Sequence, residues 1–107
     1  LFDLLERPSA ILCGNDVIAQ GAIFALLKRC LSVPDDVSVI GIGDFKGSKE
    51  MEPALTTIHF PANEIGELAG REMCQLINQA EGTSVDTALI RTKCDISLSI
   101  RDTCRAV

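Results

Sequence analysis

The apolar residues of this chain fall into short aliphatic runs separated by longer segments with helical spacing. The strand-like runs cover residues 10–13, 37–42, 55–60, 88–90 and 94–100. Apolar residues three and four positions apart mark helices over residues 1–7, 17–31 and 61–79, and Gly82 ends the last of them. The order strand, helix, strand needs a crossover connection, so the pattern predicts an α/β fold built from parallel-sheet βαβ units.

Three of these segments carry predictions about burial. The run over 10–13 is apolar throughout, which is typical of a strand buried on both faces of a parallel sheet. The main apolar stripe of the helix over 17–31 consists of Ile18, Ala22, Ala25 and Leu26. Further apolar residues lie off that stripe, so we expect this helix to be covered on more than one side, by the sheet and by a partner. Residues 94–100 alternate apolar and polar positions and predict an edge or one-sided strand.

Composition and charge exclude several classes of function. The chain has 107 residues, which is one domain at most. Its net charge of -5 opposes direct binding to nucleic acid or to a membrane surface, since both carry negative charge. The five cysteines are odd in number and form no CxxC pair, which predicts reduced thiols in a cytoplasmic protein. The single histidine has no cysteine at ligand spacing, so we expect no metal site, and we expect no cofactor.

Two acidic positions follow predicted strands. Asp16, preceded by Asn15, lies just beyond the first strand, and Asp44 lies just beyond the second. In open α/β sheets, ligands bind in the crevice outside the carboxyl ends of the strands, where carboxylates accept hydrogen bonds from sugar hydroxyls or from a purine N–H. Asn15 or Asp16 could equally be a plain helix N-cap, because a short side-chain oxygen accepts from the free N–H groups of a first helical turn.

The sequence does not favour catalysis. It contains no GxSxG, P-loop, GxGxxG or HExxH motif, and the GxG at Gly41–Gly43 has no third glycine. His59 lies in an apolar strand, where a lone histidine is more often structural than catalytic. Cys13 has no histidine near it in the sequence. We therefore expect no enzymatic activity.

Four segments, in order, resemble the lactose-repressor (LacI/GalR) family of bacterial transcription regulators. They are PSAILCGND at 8–16 with the helix after it, VPDDVSVIG at 33–41, PALTTI at 53–58 and Ile65-Gly66. The ending Arg101-Asp102-Thr103 is also similar to the family's usual ending. The set covers most of residues 8–80.

The resemblance implies an effector site and a dimer. The family has a two-lobed, periplasmic-binding-protein-like (type I) fold that binds a sugar or related metabolite between its lobes. Asp16 matches the aspartate that commonly contacts the effector, and Asn15 is its neighbour. The family usually has two acids after the second strand; here Gly43 replaces the first, which leaves Asp44 as the candidate. The helix over 17–31 is similar to one that packs across a homodimer interface.

The resemblance also implies an incomplete sensor domain. Residues 1–52 look like the C-terminal lobe, 53–81 like a return to the N-terminal lobe, and 82–107 like return strands. Operator DNA would be bound only through an N-terminal helix-turn-helix that this chain lacks. We expect its open sheet edges to favour a dimer or a strand exchange. The alternative is a periplasmic sugar-binding protein of a transport system; the free cysteines and the VPDDVSVIG and PALTTI segments favour the regulator.

Overall fold

The computed structural model describes residues 7–80 and 91–106, which divide into two units. The first unit contains residues 7–60 and 96–106, and the second contains residues 61–80 and 91–95. The predictions for residues 1–6, for Gly82 and for the strand over 88–90 lie outside the described residues.

The first unit is a four-stranded sheet with one helix packed on it. Its strands are β1 (Ala10–Leu12), β2 (Ser38–Gly43), β3 (Thr56–His59) and β4 (Ser97–Ser99), in the spatial order β1-β2-β3-β4. Helix α1 (Asp16–Leu27) connects β1 to β2. Strands β1, β2 and β3 are parallel, and β4 is antiparallel to β3. The predicted α/β fold with parallel βαβ units is confirmed.

The face of α1 that packs on the sheet agrees with the predicted stripe at Leu26 and differs from it at Ile18. Ala19, Ile23 and Leu26 are buried against the sheet, whereas Ile18 is 56% exposed. Asp16 explains the difference, because its buried carboxylate is hydrogen-bonded to β3 and to the segment after β2. Residues three, seven and ten positions after Asp16 then lie on the same side of the helix. The hydrogen-bonded carboxylate of Asp16 therefore sets the rotation of α1 about its axis. The spacing of the apolar residues does not reveal this rotation.

Strand β1 and the end of α1 require two corrections. Strand β1 pairs only with β2 among the described residues, and Leu12 is 64% exposed, so burial of β1 on both faces is wrong. Helix α1 ends at Leu27 rather than at Leu31. Cys30 has a φ of 57°, and the N–H of Leu31 donates to the carbonyl of Leu26 at 3.1 Å. The left-handed backbone conformation of Cys30 ends the helical turn before the apolar pattern of the sequence ends.

The position of β3 moves the expected domain boundary. Residues 53–60 were expected to return to another lobe, but β3 pairs with β2, with Ile40 opposite Thr56 and Gly43 opposite His59. The division between the units therefore falls after Phe60 rather than after Glu52. Strand β4 is last in the sheet order of the described residues, which agrees with the predicted edge strand.

Thr103 joins the amino ends of β2 and β3. It is fully buried, and its Oγ1 donates to the carbonyl of Val39 at 2.7 Å and accepts from the N–H of Thr56 at 2.8 Å. Its backbone carbonyl accepts from the N–H of Val39 at 2.8 Å. Thr103 therefore hydrogen-bonds to backbone groups of both strands. These bonds hold the Arg101-Asp102-Thr103 ending against the sheet.

The second unit contains helix α2 (Ala62–Ala80), close to the predicted range. The carbonyl of Pro61 accepts from the N–H of Ile65 at 2.9 Å at its start. A hollow of about 280 Å³ in this unit is lined by Ile65, Leu68, Ala69, Glu72, Leu76, Thr92 and Cys94. No helix in the described parts of the chain is long and apolar enough to span a bilayer.

Candidate functional site at the carboxyl edge of the sheet

Asn15 caps helix α1, and Asp16 is the first residue inside it. The backbone of Asn15 is extended, with a φ of -160°, and its Oδ1 accepts from the N–H of Ile18 at 2.8 Å. Only the Oδ1 of this side chain serves the cap, so its amide N–H groups are not used by the helix. The sequence left open whether Asn15 or Asp16 caps the helix, and the structure shows that Asn15 is the N-cap residue.

The carboxylate of Asp16 holds three separate segments together. Its Oδ1 accepts from Thr57 Oγ1 at 2.5 Å. Its Oδ2 accepts from the N–H of Phe45 at 2.8 Å and from Ser48 Oγ. These three hydrogen bonds use three of the roughly four acceptor positions of the carboxylate. The side chain is also only 4% exposed. Asp16 therefore links α1 to β3 and to the segment after β2, and little of it is available to a ligand.

Gly41 allows the start of α1 to approach β2. A Cβ at position 41 would collide with Asp16 Oδ1 and would lie 3.2 Å from Asp16 Cα and 3.1 Å from Leu55 Cδ2. These contacts are tighter than ordinary packing allows. The absence of a side chain at Gly41 is what brings Asp16 within reach of the β3 hydroxyl.

Asp44 belongs to an ionic cluster at the same edge. Its Oδ1 accepts from Arg101 Nη2 at 2.6 Å, and its Oδ2 lies 3.1 Å from His59 Nδ1. Gly43, with a φ of 129°, and Asp44, with a φ of 53°, turn the chain sharply after β2. Position 43 adopts a conformation that favours glycine.

Electrostatics keep Asp44 ionised. The hydrogen bond from Arg101 is the main cause that holds the pKa of the Asp44 carboxyl below its ordinary value, and His59 adds to it. Partial burial opposes this effect without reversing it. Asp44 is therefore a carboxylate near neutral pH, able to accept hydrogen bonds and unable to donate them.

The substitution Asp44→Asn is expected to change how stability depends on pH. Because the folded-state pKa of Asp44 is lowered, its contribution is complete above the unfolded value near 3.8 and is lost as the pH falls through the folded value. Near neutral pH we expect the variant to be less stable by about 1 kcal/mol, and this difference should vanish at low pH. Urea unfolding across the pH range measures it.

The matched control is Asp35→Asn, the same change at an exposed acid before β2. It should change the free energy of unfolding near neutral pH by less than about 0.5 kcal/mol. A constant difference between Asp44→Asn and the wild-type protein down to pH 2 would contradict the ion-pair interpretation.

Thr57 brings the two acidic positions together. Its Oγ1 donates to Asp16 and accepts from the N–H of Asp44 at 3.3 Å. The three residues predicted from the sequence, Asn15, Asp16 and Asp44, thus lie at one edge, where the parallel strands end. Sequence reasoning missed Thr57 and Arg101 as parts of the site. No signal in the sequence distinguishes Thr57, because the polar residues Thr56 and His59 lie in the same strand.

Two further features bear on what this edge can do. A hollow of about 180 Å³ beside it is lined by Asp16, Val17, Gln20, Phe45, Gly47, Ser48 and Met51. Cys13 is buried, and burial raises the pKa of its thiol, so it stays protonated and poorly nucleophilic. The side chains at this edge that keep hydrogen-bonding capacity are the amide of Asn15 and the carboxylate of Asp44, whereas the polar atoms of Asp16 and Thr57 are bound within the protein.

Comparison with known proteins identifies the family. A family model for periplasmic binding protein-like domains matches residues 1–104. The HTH-type transcriptional repressor PurR of Photorhabdus laumondii is 43% identical over 77 residues, covering 71% of this chain and 23% of that protein. The chain thus spans about a quarter of that relative's length.

Solved structures agree with this comparison. A putative LacI transcriptional regulator from Bacillus cereus subsp. cytotoxis has a TM-score of 0.88 at 27% identity, covering 100% of this chain and 36% of that one. A LacI family regulator from Lactobacillus casei with bound sucrose has a TM-score of 0.73 at 31% identity, covering 92% and 34%. This chain therefore belongs to the periplasmic binding protein-like domain family, in the form carried by LacI-type transcription regulators, as the resemblance of its motifs to that family indicated.

Proposed function

We propose that this chain supplies part of the effector-binding and dimerisation domain of a bacterial transcription regulator. The effector is a sugar or a related metabolite, and the protein acts in the cytoplasm without enzymatic activity. The observation that carries the proposal is the polar carboxyl edge of the sheet, in a chain whose relatives are repressors. Operator DNA is bound by a separate helix-turn-helix, since the net charge of -5 disfavours contact with DNA through this chain.

The comparisons favour a regulator over a transport protein. The relatives quoted above are transcription regulators, and one of them was crystallised with sucrose. Sucrose in that protein supports a saccharide as the class of effector here. Its likeness to this chain, at 31% identity, covers 92% of the chain.

The three predicted residues take different roles at the site. The amide N–H groups of Asn15 are free of the cap and donate to a ligand hydroxyl. Asp44 is ionised and accepts from another hydroxyl through the acceptor positions left by Arg101 and His59. Asp16 is buried, and it supports the site by fixing α1 against β3 and the segment after β2.

The substitution Asn15→Asp tests this site. Aspartate keeps the oxygen that caps Ile18 and removes the amide donor, so the helix should remain intact. We expect the affinity for a bound saccharide to fall about tenfold, the effect of one lost hydrogen bond. Calorimetric titration of the protein expressed from its complete reading frame with D-glucose, D-ribose and sucrose measures this loss.

Asp35→Asn again serves as the control, since its exposed side chain lies before β2. It should bind the saccharide as the wild-type protein does. Equal affinities of Asn15→Asp and the wild-type protein would remove Asn15 from the site. If none of the three saccharides bound to the wild-type protein, the proposal of a saccharide as effector would be wrong.

The outer face of α1 supports the homodimer. Val17, Ile18, Phe24 and Leu27 are large apolar residues that are about half exposed or more. Apolar residues spread along one helix in this way are typical of an interaction surface. Sedimentation should show a dimer for the wild-type protein and a monomer for Phe24→Glu. The control Lys49→Glu should remain dimeric, and an unchanged dimer in Phe24→Glu would exclude this face.

A further inference from the structure

His59 is presented at the carboxyl end of β3 with a fixed environment on one side of its ring. It is the single histidine of the chain, and its side chain is 44% exposed. Its Nδ1 lies 3.1 Å from Asp44 Oδ2. The ring therefore has one nitrogen bound within the protein, while Nε2 is not used by Asp44. The edge where it lies is the one at which α/β sheets bind their ligands.

Arg101 fixes the carboxylate that faces His59. Its Nη2 donates to Asp44 Oδ1 at 2.6 Å, and its Nη1 donates to the carbonyl of Leu55 at 2.8 Å. The guanidinium is thus held at two points, one in the turn after β2 and one just before β3. With one oxygen bound to Arg101, Asp44 is restrained to present its other oxygen to the imidazole.

This geometry determines which nitrogen of the neutral imidazole carries the proton. An ionised carboxylate only accepts hydrogen bonds, so His59 Nδ1 must donate to Asp44. The other nitrogen, Nε2, then holds a lone pair and is an acceptor. A free imidazole exchanges between the two tautomers, whereas Asp44 selects one of them.

We propose that His59 is a specificity-determining residue, whose Nε2 accepts a hydrogen bond from a hydroxyl of a neutral polyhydroxy ligand. Asp44 and Arg101 are positioning residues that set its tautomer. The inference rests on the proposed function, since it names a residue and a ligand chemistry for the same site. It explains why His59, Asp44 and Arg101 are linked although they lie on three different segments.

The tautomer is measured without any ligand. A long-range proton–nitrogen correlation spectrum of the protein expressed from its complete reading frame is recorded at alkaline pH, and the imidazole signals that are missing from the His59→Phe spectrum are assigned to His59. We expect the Nδ1–H tautomer in the wild-type protein and a shift towards the Nε2–H tautomer in Asp44→Ala. Asp35→Ala should keep the wild-type spectrum. An Nε2–H tautomer in the wild-type protein would overturn the inference.

The hydrogen bond between His59 and the ligand is tested by substituting His59 and by methylating the hydroxyls of the ligand in parallel. Titrations use D-glucose, D-ribose and sucrose, together with the fully O-methylated form of whichever saccharide binds, in which no hydroxyl donor remains. We expect His59→Phe, which keeps a ring but no acceptor, to lose about tenfold in affinity for the saccharide. His59→Gln keeps an acceptor and should retain part of the affinity. Neither variant should change the weaker binding of the methylated form.

The outcomes separate this inference from the proposed function. If saccharide binds equally well to His59→Phe and to the wild-type protein, the inference is wrong and the proposed function stands. If His59→Phe weakens the methylated and unmodified ligands equally, the hydrogen bond is excluded. If the wild-type protein binds no saccharide, the proposed function fails, and the ligand contact of His59 fails with it.

Discussion

Asp16→Ala is expected to lower the free energy of unfolding by about 4 kcal/mol, a large part of the stability of a small domain. The carboxylate accepts from Thr57 Oγ1, Ser48 Oγ and the N–H of Phe45. Alanine leaves all three donors without an acceptor, and both Thr57 and Ser48 are buried. Since a buried donor left without a partner loses its full solvation, the cost exceeds that of an average surface change. Urea unfolding followed by circular dichroism measures it.

Two further variants show whether the loss of stability in Asp16→Ala comes from its hydrogen bonds. Asp35→Ala removes an exposed carboxylate and should change stability by less than about 0.5 kcal/mol. Asp16→Asn keeps the shape and one acceptor oxygen, so its loss should be smaller than that of Asp16→Ala. A loss below about 1 kcal/mol for Asp16→Ala, no more than one average hydrogen bond, would show that Asp16 does not hold α1, β3 and the segment after β2 together.

Gly41→Ala is expected to destabilise the fold by about 3 kcal/mol through overpacking. The added methyl group would lie 3.2 Å from the Cα of Asp16, which is backbone and cannot rotate away. It would also press on Asp16 Oδ1 and on Leu55, a fully buried core residue. The start of α1 would have to move off β2, weakening the hydrogen bonds of Asp16. The unfolding midpoint in urea reports the change.

The control is the same substitution at Gly21, an exposed position in the middle of α1 where an added methyl group would have nothing within 4 Å. There alanine has the better helix propensity and should stabilise the protein by up to about 1 kcal/mol. The two Gly→Ala changes are thus expected to have opposite signs. Equal effects would mean that close approach at Gly41 does not limit the packing of α1.

Local signals explain why much of the fold could be predicted from the sequence. The order β1, α1, β2 follows from apolar periodicity, and Asn15 is followed by a helix that its side chain can cap. The rotation of α1 could not be predicted, because the residue that anchors it, Asp16, is polar and its partner Thr57 is far away in the chain. Helix periodicity counts apolar residues only, so it placed Ile18 on the buried side.

Contacts between distant segments explain what was missed at the site. The place of Asp44 after β2 marks it as a candidate in the sequence, whereas nothing near Arg101 in the sequence indicates that the two side chains pair. His59 was interpreted as structural because a lone histidine in an apolar strand carries no sign of an ionic partner. Its pairing with Asp44 depends on the sharp turn at Gly43 and Asp44, which brings the carboxylate back over β3.

Hydrogen exchange with and without a saccharide tests the central claim most directly, namely that a polar effector binds at the carboxyl edge of the sheet. The protein expressed from its complete reading frame is compared with and without a saturating saccharide that calorimetry has identified. We predict slower exchange in residues 13–17, 43–48 and 59–60, and unchanged exchange in residues 32–38 and 102–106 at the amino ends of the strands. Protection confined to the amino ends, or no protection in the described residues of this chain, would contradict the account.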